Sequence, residues 1–234
     1  MTIFLAVDDT DVEGSRGTGR LARAVGQAVS RDYPVFAVTR HQLYVHPDIP
    51  YTSHNSCAVV HILAGGDAAA KEIFDTGKEV VLGDFIEGSD PGIAVAASDA
   101  ITPAIVAFGF DAKRVILTQE KARTLAMNST IRLEGLGGTE DGVIGAVAGL
   151  GLASTGYDGR FLSCGRVRDM TGPQEACDLL EAGIDDVLTM DGRRIDQGRI
   201  MVEEGKSVKP CPVNGRVVLF VEDREGTLHA VKRD

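Results

Sequence analysis

Tryptophan is absent from this 234-residue chain, and aromatic residues of all kinds make up only 5% of it. Surfaces that grip unpaired bases need exposed rings for stacking, so a general single-strand binder is disfavoured. Positive charge is also short: 24 Lys+Arg face 34 Asp+Glu, a formal net charge of −10. That field repels phosphate backbones unless the basic residues gather on one face. No apolar run approaches the roughly 20 residues of a membrane helix. The apolar start, Met1 to Val7, is too short for a signal sequence core and has no basic leader. The expectation is no membrane and a cytoplasmic location. The four cysteines, Cys57, Cys164, Cys177 and Cys211, include no C-x-x-C pair, so the tight knuckles of a zinc ribbon are missing. Scattered thiols of this kind fit a reducing compartment and read as small buried hydrophobes. His41, His46, His54 and His61 match no metal-binding helix spacing.

What the chain does have is 44% hydrophobic residues and 28 glycines. That is enough apolar content for a real core, with many turns and close backbone approaches. Met1 to Val7 reads as a buried strand that runs into an acidic, glycine-rich turn over 8–19. Leu21, Ala22, Val25, Gly26 and Val29 then recur at helical spacing. Strands are expected at 35–40, 57–63, 93–97 and 114–118, and helices at 68–75, 99–108 and 143–152. From about residue 157 short strands and turns dominate, with a strand at 161–166 and an amphipathic helix at 174–181. Alternation of strands and helices argues for an α/β (α+β) layer fold. The expected division is 1–156 and 157–234, the second part being smaller and β-rich.

The most informative segment is Asp8-Asp9-Thr10-Asp11-Val12-Glu13-Gly14-Ser15-Arg16-Gly17-Thr18-Gly19-Arg20. Three aspartates within four residues at the end of a buried strand repel one another until a cation neutralises them. Hard oxygen ligands on a tight turn suit Mg²⁺, which keeps waters and bridges to phosphate oxygens. Gly17-Thr18-Gly19 opens a helix whose free N–H groups suit an anion. The plain alternative is a solvated turn in which Asp11 or Ser15 caps the helix. A phosphatase of the haloacid-dehalogenase type is a second enzyme reading. It takes Asp9 as nucleophile, Asp11 as acid, Thr118 as phosphate-binding hydroxyl, Lys121 as cation and Asp185-Asp186 as the distal acids. A dinucleotide fingerprint at Gly17-x-Gly19-x-x-Ala22 is weaker, because polar residues separate it from the strand.

The ordered set of short motifs along the chain resembles the archaeal tRNA-isoleucine agmatidine synthetase family. Asp8-Asp9-Thr10-Asp11 with Gly14 and Thr18 is similar to that family's opening. Arg40 to Tyr51, His54 to Ala58, Gly88 to Ile93, Gly142 to Gly151 and Pro210-Cys211-Pro212-Val213 resemble its later motifs in order. The resemblance implies a kinase-like N-terminal domain that binds ATP and Mg²⁺, followed by a ferredoxin-like domain. It also implies phosphorylation of an acceptor oxygen, which an amine then displaces. Thr18 falls on a threonine that can carry phosphate in that family, although here a single hydroxyl stands between two glycines. The sequence departs from the family in lacking zinc-ribbon cysteines and in its strong negative charge. tRNA is therefore expected to bind weakly to this chain alone, and the acceptor is open. A nucleotide-binding module without turnover is a third reading.

The expected site follows from both arguments. Asp8, Asp9 and Asp11 would hold magnesium, and with Thr18 they are the candidate catalytic residues. Arg16, Gly17, Gly19 and Arg20 would receive phosphate or offset its charge. Gly142 and Gly145, in the family-like helix, are expected to help bind the cofactor, and Gly145 with Gly149 permits close packing against a neighbouring element. Glu140 and Asp141 precede that helix, where carboxylates offset its dipole; facing the Asp8 turn, they would add a second metal position. Arg160, Arg166, Arg168 and the pair Arg193-Arg194 read first as surface charges, and otherwise as a basic stripe in the second part.

Overall fold

The computed structural model describes every residue except Ser53, Glu204 and Asp234. Ser53, in the polar loop at 51–56, thus lies outside the described residues. The chain divides into two compact units, Met1–Thr155 and Gly156–Asp234.

The first unit contains β1 (Thr2–Asp8), α1 (Thr18–Val29), β2 (Val35–Gln42), β3 (Ser56–Leu63), α2 (Asp67–Gly83) and β4 (Gly92–Ala97). α3 (Pro103–Asp111), α4 (Gln119–Met127), β5 (Arg132–Gly135) and α5 (Gly142–Ser154) complete it. Its strands run in the order β5-β4-β1-β3-β2, and each neighbouring pair is antiparallel. β1 lies in the middle, with Leu5 opposite both Val60 and Val95. Both faces of this sheet are covered, which explains why β1 is an unbroken apolar run with no alternation. α1 and α2 pack on one face, where Leu5, Val38, Val60 and Ile93 point. α3, α4 and α5 cover the other face, over Phe4, Ala6, Cys57, Val59, Ala94 and Ala96. α5 is the buried member, with Val143, Ala146, Val147 and Leu150 shielded from solvent.

Two local expectations are corrected here. Residues 114–118 form no strand: the amides of Arg114 and Val115 both donate to Asp111 O at 2.9 Å as the chain leaves α3. With those donors engaged, Val115 and Ile116 stay about half exposed, and only Leu117 packs against the core. α2 runs eight residues past Asp75, through Gly77. A Cβ at position 77 would stand 2.5 Å from Leu5 Cδ1, so glycine there seats the helix on the sheet instead of ending it.

The second unit contains β6 (Arg160–Cys164), β7 (Gln174–Glu175), α6 (Ala176–Glu181), β8 (Asp186–Thr189) and β9 (Arg199–Met201). β10 (Cys211–Val213), β11 (Arg216–Arg224) and β12 (Thr227–Val231) follow. The order β10-β11-β12-β9-β7 forms a mixed sheet, with β8 parallel to β11 and β9 parallel to β12. The helix expected over 174–181 is shorter, because Gln174 and Glu175 pair with Ile200 and Arg199 before α6 begins. The architecture is therefore mixed α/β, with two sheets rich in antiparallel pairs. No helix among the described residues is long and apolar enough to cross a membrane. All four cysteines are free thiols; Cys57, Cys164 and Cys211 are buried, while Cys177 is exposed, against expectation.

Candidate active site

β1 delivers Asp8 to the end of the central strand, on the face covered by α5. The fit there is made by glycines. A Cβ at position 145 would stand 1.7 Å from Asp8 Oδ2, and a Cβ at position 142 would stand 2.6 Å from Asp8 O. The first two turns of α5 can approach the strand only because both positions lack side chains. The expected close packing of this helix is thus observed, with Gly149 against Cys57 and Val59.

Asp9 turns the chain out of β1 with φ of 52°, a left-handed conformation that Asp and Asn tolerate better than most residues. Its carbonyl accepts the Asp90 N–H at 3.1 Å, and Asp90 O accepts the Gly142 N–H at 2.9 Å. Asp90 thereby ties the strand end to the start of α5. Its carboxylate also accepts the Thr139 N–H. Asp141 accepts a hydrogen bond from the Gln119 amide at 2.7 Å.

The charges in this turn oppose one another. Burial, then the neighbouring charges of Asp9 and Asp11, push Asp8 up to about 8, against a lowering hydrogen bond from the Asp9 backbone. Burial pushes Asp9 up to about 6, assisted by Asp90, Asp11 and Asp141. Two carboxylic acids held well above their ordinary range at a strand end mark a place where a cation would be stabilising.

Asp11 has a different task. Its Oδ1 accepts the Thr18 hydroxyl and its Oδ2 the Thr52 hydroxyl, both at 3.4 Å. Thr18 is buried and accepts the Thr10 hydroxyl at 3.1 Å. Both oxygens of Asp11, expected beside Asp8 and Asp9 as a metal ligand, are thus engaged by hydroxyls. Among the described residues no three His, Cys, Asp or Glu side chains form a ready metal cage. Magnesium needs only one or two carboxylates beside waters and phosphate oxygens, and Asp8 with Asp9 supply that donor set.

Gly17 is the N-cap of α1, and no side chain caps the helix. Neither Asp11 nor Ser15 does so; the Ser15 hydroxyl accepts the Val12 N–H instead. The first turn of α1, with Thr18 and Gly19, carries no acidic residue of its own, and the Asp11 carboxylate lies beside Gly17 and Thr18 at its start. Arg16, expected at the phosphate position, forms an ion pair with Asp84. Arg20 is exposed on the first turn of α1.

Other candidates fall outside this cluster. Glu140 pairs with Arg123 at 2.5 Å. His41 and His61 each share a 2.8 Å hydrogen bond with Thr39 Oγ1. Burial, then His41, hold His61 down at about 3. His46 lies 3.7 Å from Asp48 and beside the Tyr44 ring. The phosphatase reading fails on geometry. Thr118 is not at a strand end; its hydroxyl caps α4 by accepting the Lys121 N–H. Asp185 accepts the Val217 N–H at 2.7 Å, and Asp186 pairs with Arg194 and Arg216 at 2.9 Å.

Asp90 and Thr52 are the residues that sequence reasoning missed. Asp90 sits in the Gly-Ser-Asp-Pro-Gly turn of the family-like Gly88-to-Ile93 motif, where nothing in its type or spacing assigns it a role. Its 81-residue separation from Asp9 leaves no sequence signal.

No known family profile matches the chain. Solved structures do. The apo form of TiaS, an agmatidine synthetase acting on an isoleucine tRNA, shares 22% identity at a TM-score of 0.54, over 64% of this chain and 35% of that one. The complex of TiaS with that tRNA and ATP gives 22% and 0.55 over 64% and 36%. The fold is similar to that of TiaS. An uncharacterised protein of Methanocaldococcus jannaschii is 24% identical over 151 residues, 64% of this chain and 50% of the relative. The chain thus spans half the length of that relative and about a third of the TiaS structures. The TiaS likeness agrees with the resemblance carried by the Asp8-to-Val213 motifs.

Proposed function

We propose that the first unit binds ATP with Mg²⁺ at the end of β1 and uses it to phosphorylate an acceptor oxygen. The observation that carries this reading is the electrostatic tension at Asp8 and Asp9, set beside the uncapped start of α1. A divalent cation relieves the first, and the phosphates of a nucleotide match the second. The likeness to a fold that has been crystallised with both tRNA and ATP supports the same reading.

In this reading Asp8 and Asp9 hold the metal, which when bound neutralises charge on the phosphate oxygens. The N–H groups from Gly17 to Gly19 orient the phosphates. Asp11 accepts the Thr18 hydroxyl and so fixes which way that oxygen faces. Arg20 offsets charge that develops on the transferred group, in place of Arg16. Gly142 and Gly145 act by absence, since side chains there would displace Asp8. TiaS has been crystallised with tRNA, an ATP analogue and agmatine, and an amine is the analogous attacking group for the phosphorylated acceptor here.

Calorimetry of the folded chain with ATP, with and without Mg²⁺, is the test. Magnesium-dependent binding is the expected result. A folded protein that binds ATP in neither condition overturns the reading. Binding without phosphate transfer to any acceptor reassigns the chain to a nucleotide-sensing module.

A further inference from the structure

Phe85, at the corner that follows α2, is 44% exposed. Its contacts place it beside both parts of the candidate site. The residue before it, Asp84, forms the ion pair with Arg16, which adjoins the turn at 17–19. The ring itself lies against Gly137, where a Cβ would stand 2.6 Å from Phe85 Cε2 and 3.0 Å from Cζ. A Cβ at the next position, 138, would stand 2.0 Å from Asp90 Oδ1, and the Asp90 N–H donates to Asp9 O at 3.1 Å. An aromatic ring thus stands in water next to the start of α1 and the end of β1.

The backbone on both sides of the ring is fastened. The Phe85 N–H donates to Leu82 O at 3.3 Å as α2 ends. Ser89, which is buried, donates to Ile86 O from its N–H at 3.1 Å and from its hydroxyl at 2.7 Å. Across the ring, the Leu136 N–H donates to Pro91 O at 2.8 Å, and the Thr139 N–H donates to the Asp90 carboxylate. The ring is therefore placed before a ligand arrives, which reduces the ordering that binding must impose.

Charge selects what such a ring can hold. Asp90 lies beyond Gly137, and Asp84 is the chain neighbour of Phe85. Carboxylates in these positions disfavour a further anion, whereas a flat neutral group is accepted. A nucleotide whose phosphates sit at 17–19 carries one such group, its base. Every base has a π-face that stacks on an aromatic side chain.

We propose that Phe85 is the platform on which the adenine of the bound nucleotide stacks, seated there because Gly137 has no side chain. This inference rests on the nucleotide reading above and adds to it the residue that recognises the base.

The chain has no tryptophan, so Phe85→Trp places a single indole reporter at this position. Calorimetry and indole emission of the full chain are read with Mg²⁺ and either ATP or tripolyphosphate. ATP is expected to quench the indole, whereas tripolyphosphate binds without quenching. Phe85→Leu keeps an apolar side chain and should weaken ATP binding about tenfold or more, with tripolyphosphate affinity unchanged. Gly137→Ala, which displaces the ring, should do the same. Phe110→Leu, at another exposed phenylalanine of the first unit, should bind both probes as the parent does. If Phe85→Leu or Gly137→Ala fails to fold, quenching in Phe85→Trp still decides. Parent-like ATP affinity in Phe85→Leu, equal weakening of ATP and tripolyphosphate, or bound ATP that leaves the indole unquenched overturns the platform and leaves the nucleotide reading standing. A parent protein that binds neither probe overturns the nucleotide reading, and this inference with it.

Discussion

The carboxylate of Asp8 rests on the backbone of Gly145, with Oδ2 only 1.7 Å from where a Cβ would be. The end of the central strand and the second turn of the buried helix are thus fitted to each other. Any side chain at 145 must displace the acid on which the site is built.

Gly145→Ala measures that fit. In an open helix the change gains about 1 kcal/mol. Here the clash reverses the sign, and the expected outcome is a loss of about 1–3 kcal/mol in urea unfolding. Magnesium-dependent ATP binding should weaken along with it. A variant as stable as the parent, with unchanged binding, contradicts the contact.

The pH dependence of stability isolates Asp8. Its folded pKa is raised, so the folded state holds a proton that the unfolded state has released, and stability falls as pH rises through about 8. Asp9, at about 6, acts lower in the range. His61 is depressed to about 3 and has the opposite sign, losing stability as pH falls below the ordinary histidine range. Between pH 6.5 and 8 the Asp8 slope dominates, approaching about 1.4 kcal/mol per pH unit. Thermal melts across this window should show it, and Asp8→Asn should flatten it. A flat profile in the parent protein would falsify the buried-acid description.

Asp9 separates charge from backbone. Asparagine tolerates a φ of 52°, so Asp9→Asn should keep or raise the stability of the metal-free protein while lowering Mg²⁺-dependent ATP affinity about tenfold. Alanine lacks that tolerance, and Asp9→Ala should be about 1 kcal/mol less stable than Asp9→Asn. Denaturant midpoints and calorimetry on the pair decide it. Equal stability of the two variants contradicts the strained turn.

RNA affinity tests the charge argument. With ten more acids than bases, the chain alone should bind bulk tRNA at roughly 10⁻⁴ M or weaker at physiological salt. Filter binding at low and physiological salt is the measurement. Micromolar affinity at physiological salt would show that local basic residues outweigh the global field, and would make tRNA the favoured acceptor.

The sequence by itself determined the elements whose signal is local. The unbroken run from Ile3 to Val7 reads as a buried strand, and three aspartates crowded at its end repel one another. The small-residue stretch from Gly142 announced a helix that packs closely. Mixed α/β layers followed from the alternation of patterns. The tertiary structure decided what depended on distant partners. The helix expected over 68–75 runs on through Gly77, which lies over Leu5, and Val115-Ile116 read as a strand until Asp111 takes the amide donors of Arg114 and Val115. Asp11 counts as a metal ligand in the sequence, and the fold brings the Thr18 and Thr52 hydroxyls to its oxygens. Arg16 reads as a phosphate clamp, and the fold pairs it with Asp84. Asp90 is silent until the fold brings its charge to Asp9. The reason is common to all five. Propensity and periodicity act over a few residues, whereas burial, charge and hydrogen-bond partners are set by neighbours in space.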